Sequence, residues 1–241
     1  MRNTLLLIVL AVAPAALGGL QVVVDGESRP TYHHRGATYI EAIRGREYAL
    51  RITNPYPYRV AVALAVDGLN TIDAKHTSGW NAAKWVLEPY ESAEIEGWQV
   101  SDHSARRFFF TGERSSYGAA IGETENLGVI EAVFFRERER RREYSERRQH
   151  SPAPAPSSRE GAAAQEAAPP SDDYAATGMG HRTRHDVDRV HIELERTPIL
   201  SVRLRYEFRP QLVKLGVFPK SRAPLHRREK ARGFEYCPEP H

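Results

Sequence analysis

The sequence predicts an all-β protein, a β-sandwich of Ig-like or jelly-roll-like type with a signal peptide and a disordered insertion. Three observations predict it. Past the N-terminus the apolar residues recur with period two. Turn signals return about every 10 to 15 residues. The helical period is weak everywhere except over residues 136–148. With 241 residues the chain suits one decorated domain or two small ones, and 41% hydrophobic content excludes a wholly disordered chain. A single cysteine, Cys237, excludes an intramolecular disulfide framework. It equally excludes zinc sites built on four cysteines, or on two cysteines and two histidines. Cys237 reads as an exposed tail thiol, with intermolecular pairing as the alternative.

Residues 1–18 read as a secretory signal peptide. Arg2 precedes an uncharged apolar run over residues 5–17, and Ala16 and Gly18 place small residues before a cleavage point after Gly18. A membrane span needs roughly 20 apolar residues, and Pro14 interrupts this run. A buried N-terminal strand or helix is the alternative. Export makes ATP, nicotinamide and chromosomal DNA unexpected as routine partners.

Residues 19–135 supply the first part of the sandwich. Residues 20–24 open a strand that Asp25-Gly26 ends. Tyr48, Leu50 and Ile52 alternate with Ala49 and Arg51 until Asn54-Pro55-Tyr56-Pro57 breaks the run. Val60, Val62, Leu64 and Val66 alternate with three alanines, so both faces are apolar, as in a central strand covered on two sides. Asp67-Gly68 is a tight-turn signal. Residues 85–87, 93–96, 107–111 and 127–135 are further strands.

Residues 136–180 read as the insertion, charged at first and then Pro/Ala-rich. Such a composition cannot bury enough apolar area to offset its ordering entropy. Residues 136–148 can form a short solvated helix before it. In residues 181–218, Val190, Ile192 and Leu194 alternate with polar residues. After Thr197-Pro198, Leu200, Val202, Leu204, Tyr206 and Phe208 do the same. This predicts a C-terminal hairpin. Two strands alone are marginal in water, so the hairpin is expected to complete the same domain, with a separate C-terminal module as the alternative. Residues 219–241 are a basic tail.

The runs Val66-Asp67-Gly68-Leu69-Asn70-Thr71-Ile72, Ile95-Glu96-Gly97-Trp98, Arg107-Phe108-Phe109-Phe110 and Thr177-Gly178-Met179-Gly180 together resemble an uncharacterised family of exported bacterial β-sandwich proteins. The likeness covers roughly residues 48–135 and 174–218. It implies a compact β fold and carries over no catalytic residue.

Candidate chemistry is sparse. Asp102-His103-Ser104 holds the side-chain types of a hydrolytic triad, but adjacent residues on a strand point to opposite faces. His181, His185 and His191 with Asp186 and Asp188 could gather a metal, and solvated histidines are the alternative. Asp67, Asn70 and Asp73 could ligate calcium, but a side-chain-stabilised turn fits the spacing better. The glycines of residues 178–180 and 115–118 read as turns or bulges rather than phosphate loops.

The aromatics offer more. Tyr56 and Tyr58 flank Pro57 in an expected hairpin tip, and Trp80, Trp85 and Trp98 surround a polar stretch. Exposed loop aromatics can stack on sugars or grip a partner. Alternatively, the tryptophans plug a core under long loops, the reading favoured for Trp98. Residues 136–148 hold seven arginines against four glutamates, and residues 220–232 hold six basic residues against Glu229. The second cluster makes Arg227 and Arg228 candidate contacts for an anionic surface, with a solvated tail as the alternative.

The sequence therefore leads to an exported, non-catalytic binding or structural module of the bacterial cell envelope. Its expected contacts are Tyr56, Tyr58, Trp80, Trp85, Arg227 and Arg228, and its expected partner is an envelope protein or an anionic polysaccharide. No cofactor, metal, nucleic acid or transmembrane segment after cleavage is expected. An envelope hydrolase or carbohydrate-active enzyme is the alternative; two carboxylates facing one cleft would mark it.

Overall fold

The computed structural model describes residues 19–138 and 171–219. The expected signal peptide, residues 139–170 of the expected insertion, the tail from residue 220 and Cys237 lie outside the described residues. In chain order the strands are β1 (Leu20–Val24), β2 (Glu27–Ser28), β3 (Thr31–His34), β4 (Ala37–Ala42), β5 (Glu47–Thr53), β6 (Val60–Val66) and β7 (Leu69–Asn70). They continue with β8 (Trp85–Leu87), β9 (Ser92–Ile95), β10 (Gly97–Ser101), β11 (Ser104–Gly112), β12 (Val129–Glu137), β13 (Ala175–Arg184) and β14 (Leu194–Phe208). A 3-10 turn (Glu113–Ser115) and two short helices, α1 (Tyr117–Ile121) and α2 (Arg209–Leu215), complete the described elements.

The fold is all-β, with two seven-stranded sheets among the described residues. One follows the order β10-β11-β5-β1-β2, with β9 also on β5 and β13 also on β11. The other follows β3-β4-β14-β12-β6-β7, with β8 also on β6. A single core cluster draws on both: Leu50 and Ile52 of β5, Phe108 and Phe110 of β11, Leu64 of β6, Phe134 of β12 and Leu204 of β14. The alternation that marks β5 in the sequence is its burial pattern, with Tyr48, Leu50 and Ile52 inward. On β6 the valines and Leu64 face this core, while Ala63 joins Ala82 and Phe135 in a small second cluster. The alanines of β6 are small enough for a loop to cover that outer face. Asp25-Gly26, Arg35-Gly36 and Asp67-Gly68 all have positive φ at both positions, the conformation two-residue hairpin turns require.

Three expectations need correction. Leu194–Phe208 is one 15-residue strand, not the second half of a hairpin. Pro198 lies at a register shift opposite Phe135, and a bulge accommodates a residue that cannot donate to the ladder. The strand pairs antiparallel with β12 and parallel with β4, while Val190 is exposed in irregular chain. Second, residues 175–180 of the expected insertion belong to β13, where Ala175, Ala176, Thr177 and Gly178 are buried against β11. Residues 136 and 137 likewise belong to β12. Third, Tyr56 and Tyr58 do not cap a hairpin: β5 and β6 lie in different sheets, so residues 54–59 cross between them.

Gly97 opens β10 where its backbone presses on β11. A Cβ there would lie 1.8 Å from the Arg106 carbonyl oxygen. Gly97→Ala should therefore lower the free energy of urea unfolding by about 1–3 kcal/mol. Because β14 runs between β12 and β4 while β13 pairs with β11, residues after 170 contribute to both sheets. A protein cut at a protease site engineered into residues 151–160 should elute from a sizing column as one particle. Separation without denaturant would mark the C-terminal strands as an independent unit.

Candidate functional site

Asp67 directly follows β6 in a left-handed conformation, φ +53°, which Asp tolerates better than most residues. Its side chain turns inward and is 2% exposed. Oδ1 accepts the Gly128 amide at 2.9 Å and the Tyr206 hydroxyl, and Oδ2 accepts the Thr177 amide at 2.8 Å. The Tyr206 hydroxyl also meets Thr177 Oγ1 at 2.6 Å, which in turn meets the Tyr48 hydroxyl at 2.8 Å. One buried polar chain thus joins β5 and β13 of one sheet to β6 and β14 of the other. Burial pushes the Asp67 carboxyl up to about 7, against the opposing pull of the bonds from Tyr206, Thr177, Gly128 and Val129. Burial first, and then the charge of Asp67, raise both tyrosines well above their ordinary range.

A second carboxylate acts on the same strand. Glu207 Oε2 accepts the Ala175 amide at 3.1 Å. Burial pushes Glu207 up to about 7, opposed by the Ala175 and Phe208 amides and assisted by the charge of Glu113. The residues leading into β13 are held through their backbone as well. Ser171 exchanges bonds with Glu113, Arg44 donates to the Asp172 carbonyl, and Gln211 Nε2 donates to the Asp173 carbonyl at 2.9 Å.

This packing leaves an open concavity of about 380 Å³ beside α2, whose lining includes Arg44, Arg209, Lys214, Asp173, Phe208 and Gln211. The Arg44 guanidinium lies 4.1 Å from the centre of the Phe208 ring, so one cation is preoriented by stacking. Arg209 reaches Glu41 at 3.3 Å and lies 4.9 Å over Phe218. Lys214 is exposed and has no ion-pair partner among the described residues. With Arg209 paired to Glu41, Arg44 and Lys214 are left against the lining carboxylate Asp173, a balance that still suits an anion. Sequence reasoning missed this site because its walls come from residues 42–44, 173 and 208–214.

The aromatics expected to form a binding surface are spent mostly on packing. Tyr56 and Tyr58 stack on each other at 5.2 Å and pack on the core, and Arg136 covers Tyr58 at 4.3 Å. The buried Asn54 side chain organises them, donating to the Tyr58 carbonyl and accepting the Tyr56 amide. Trp85 donates its indole N–H to Thr71 Oγ1 at 2.9 Å and meets the His185 ring edge-on. Trp80 keeps 38% of its surface exposed but sets its ring against Phe135. Lys84 lies over both rings with its pKa lowered by burial. Trp98 is core, between Phe108 and Tyr117. Among the described ring contacts, none joins the tyrosine pair to Trp80 or Trp85. Arg227 and Arg228 lie outside the described residues.

The remaining candidates resolve into local roles. His103 Nδ1 does meet a carboxylate, Asp186 at 3.1 Å, but Ser104 Oγ bonds to Ser101. Bonds from Arg184 and then His103 hold Asp186 below its usual range. No cluster of three or more metal-ligating residues occurs among the described residues. Asp67 is taken up by Gly128, Thr177 and Tyr206, Asn70 Oδ1 accepts the Ile72 amide, and Asp73 accepts the Lys75 amide. Gly180 lies in a bulge, since it and His181 stand opposite Arg107, whereas Gly178 pairs regularly with Phe109, whose ring fills the space a Cβ would need. Ser116 caps α1 through the Ala119 amide, a one-turn helix the sequence did not announce.

Asp67→Ala leaves two amides and a phenol buried without their acceptor. It should cost about 3 kcal/mol or more in urea unfolding, at roughly 1–3 kcal/mol per orphaned group. Because the folded pKa of Asp67 lies above its unfolded value of 3.8, the folded state binds more protons between the two. This contribution to stability is fully present below about pH 4. It is lost as the pH rises toward 7, and Asp67→Ala should remove that part of the pH dependence from unfolding curves. No family model, curated protein or solved structure matches the chain.

Proposed function

We propose that the chain is an exported, non-catalytic binding or structural module of the bacterial cell envelope, with its two sheets packed as a sandwich. On this reading it contacts an anionic glycan through the basic concavity and the basic tail. One observation carries the reading: Arg44, Arg209 and Lys214 converge on one concavity. Phe218, which shortly precedes the basic run of residues 220–232 in the sequence, packs under Arg209 of that concavity and against Tyr32. Export rests on the N-terminal sequence; no described helix is long and apolar enough to cross a membrane. A glycosidase would need paired carboxylates at the cleft, and Asp173 is the single one lining this concavity.

The test is salt-dependent retention of the full chain on immobilised polygalacturonate. Replacing Arg44, Arg209 and Lys214 together by Ala should move elution to clearly lower salt. Removing residues 220–232 should do the same. Replacing the exposed Arg182, Arg184 and Arg189 should have a smaller effect at equal charge change. Equal shifts from both triple variants would reduce the retention to net charge and overturn the reading. Mass spectrometry of protein from the cell envelope should find an N-terminus at Gly19, and an intact cytosolic Met1 form would oppose export.

A further inference from the structure

We propose that Asp67 and Glu207 form a proton-operated clasp on residues 171–177 that sets one wall of the basic concavity. The part concerning the concavity rests on the anionic-ligand reading above; the clasp itself rests on geometry. Ala175 and Thr177 are two residues apart on β13, so their amides point to the same strand edge. Among the described strands β13 pairs with β11 alone, and these amides go to Glu207 and Asp67 of the opposite sheet. Just upstream, the Asp172 and Asp173 carbonyls hold Arg44 and Gln211, two residues of the concavity. Whatever loosens Ala175 and Thr177 therefore loosens the support of Arg44.

The groups facing the clasp fix the direction of its response. Toward Asp67 these are Tyr206 of β14, Tyr48 of β5 and Thr177 of β13, with the Gly128 amide; toward Glu207 they are the Ala175 and Phe208 amides and the Glu113 carboxylate. Tyr206 and Tyr48 are neutral across the neutral range, since burial raises both. The donors favour the ionised forms, but burial outweighs them, and among the described residues no cation acts on either carboxyl. The closed clasp therefore favours neutral carboxyls, whereas an opened clasp would hydrate them and let them ionise at ordinary values. Acid closes the clasp, and a rise through neutral pH loosens it.

The measurement is amide hydrogen exchange on the full chain, corrected for the intrinsic chemical rate, with polygalacturonate retention followed in parallel. Between pH 5.5 and 8.5 protection at Ala175 and Thr177 should fall about tenfold or more, with a smaller change at Val62 and Leu64 of β6. In Glu207→Gln, whose amide oxygen can still accept from Ala175, the Ala175 slope should flatten while the Thr177 slope persists. Protection at Ala175 and Thr177 that is independent of pH in the unmodified chain overturns the clasp, with no variant required. An unchanged Ala175 slope in Glu207→Gln overturns the role of Glu207. If the slopes appear but the protein never binds the polysaccharide, the clasp stands and the ligand reading fails. If the protein binds but the slopes are absent, the ligand reading stands and the clasp fails.

Discussion

The two sheets depend on one buried carboxylate. An isolated charge in the core would cost far more than the fold could offset, and an unpaired carboxyl would still leave its neighbours unsatisfied. Asp67 avoids both by accepting from Gly128, Thr177 and Tyr206 at once. Those partners lie 61, 110 and 139 residues from it, so each bond closes a large part of the topology. Thr177 then passes the chain to Tyr48, and Tyr48 stacks on Phe110 at 4.2 Å. The apolar core on either side supplies most of the driving force, but it is non-directional. Apolar sheets can slide over one another; amide-to-carboxylate bonds cannot slide without breaking. The polar chain therefore fixes how β13 and β14 face each other.

Two turns show how far the sequence could be read. Asp25-Gly26 and Asp67-Gly68 are the same dipeptide, each after a hydrophobic strand, and both aspartates have φ +53°. Local chemistry identified both as turns. Their fates are opposite: Asp25 reaches the exposed Arg46 at 3.6 Å, while Asp67 is sealed inside the protein. Nothing within a few residues separates them, because the difference is made by Thr177 and Tyr206. Periodicity succeeded where burial is one-sided, as on β5, and where it is two-sided but patterned by size, as on β6. It failed at Thr197-Pro198, because turn chemistry is local and the bulge that admits Pro198 is set by β12.

The aromatic residues expected to form a binding surface are engaged in packing for a related reason. Tyrosine next to proline in a polar stretch resembles an exposed loop tip, but a segment that changes sheets needs its own plug. Tyr56 and Tyr58 are that plug, ordered by the Asn54 side chain. Trp80 is a partial exception, since its loop lies on the alanine face of β6 and leaves one edge in solvent. The basic concavity had no sequence signature at all. Arg44 lies in a short turn, Asp173 borders a low-complexity run, and Arg209-Pro210 directly follows a strand. In the structure the proline occupies the first turn of α2, where its missing N–H costs nothing.

The same anchoring explains how the fold tolerates a long connection between β12 and β13. These strands belong to different sheets, so the connection need not obey hairpin geometry. At each end described residues are held: Arg138 donates its amide to the Glu193 carbonyl, and Ser171 is locked to Glu113. Residues 171–177 are gripped along their backbone. Each of their bonds to Glu113, Arg44, Gln211, Glu207 and Asp67 uses backbone atoms, so for those bonds the demand falls on the partners. Thr177 is different, because its buried hydroxyl also joins Tyr206 to Tyr48. Backbone gripping of the exposed residues 172–174 and strict chemistry at Thr177 and its partners are two consequences of one arrangement.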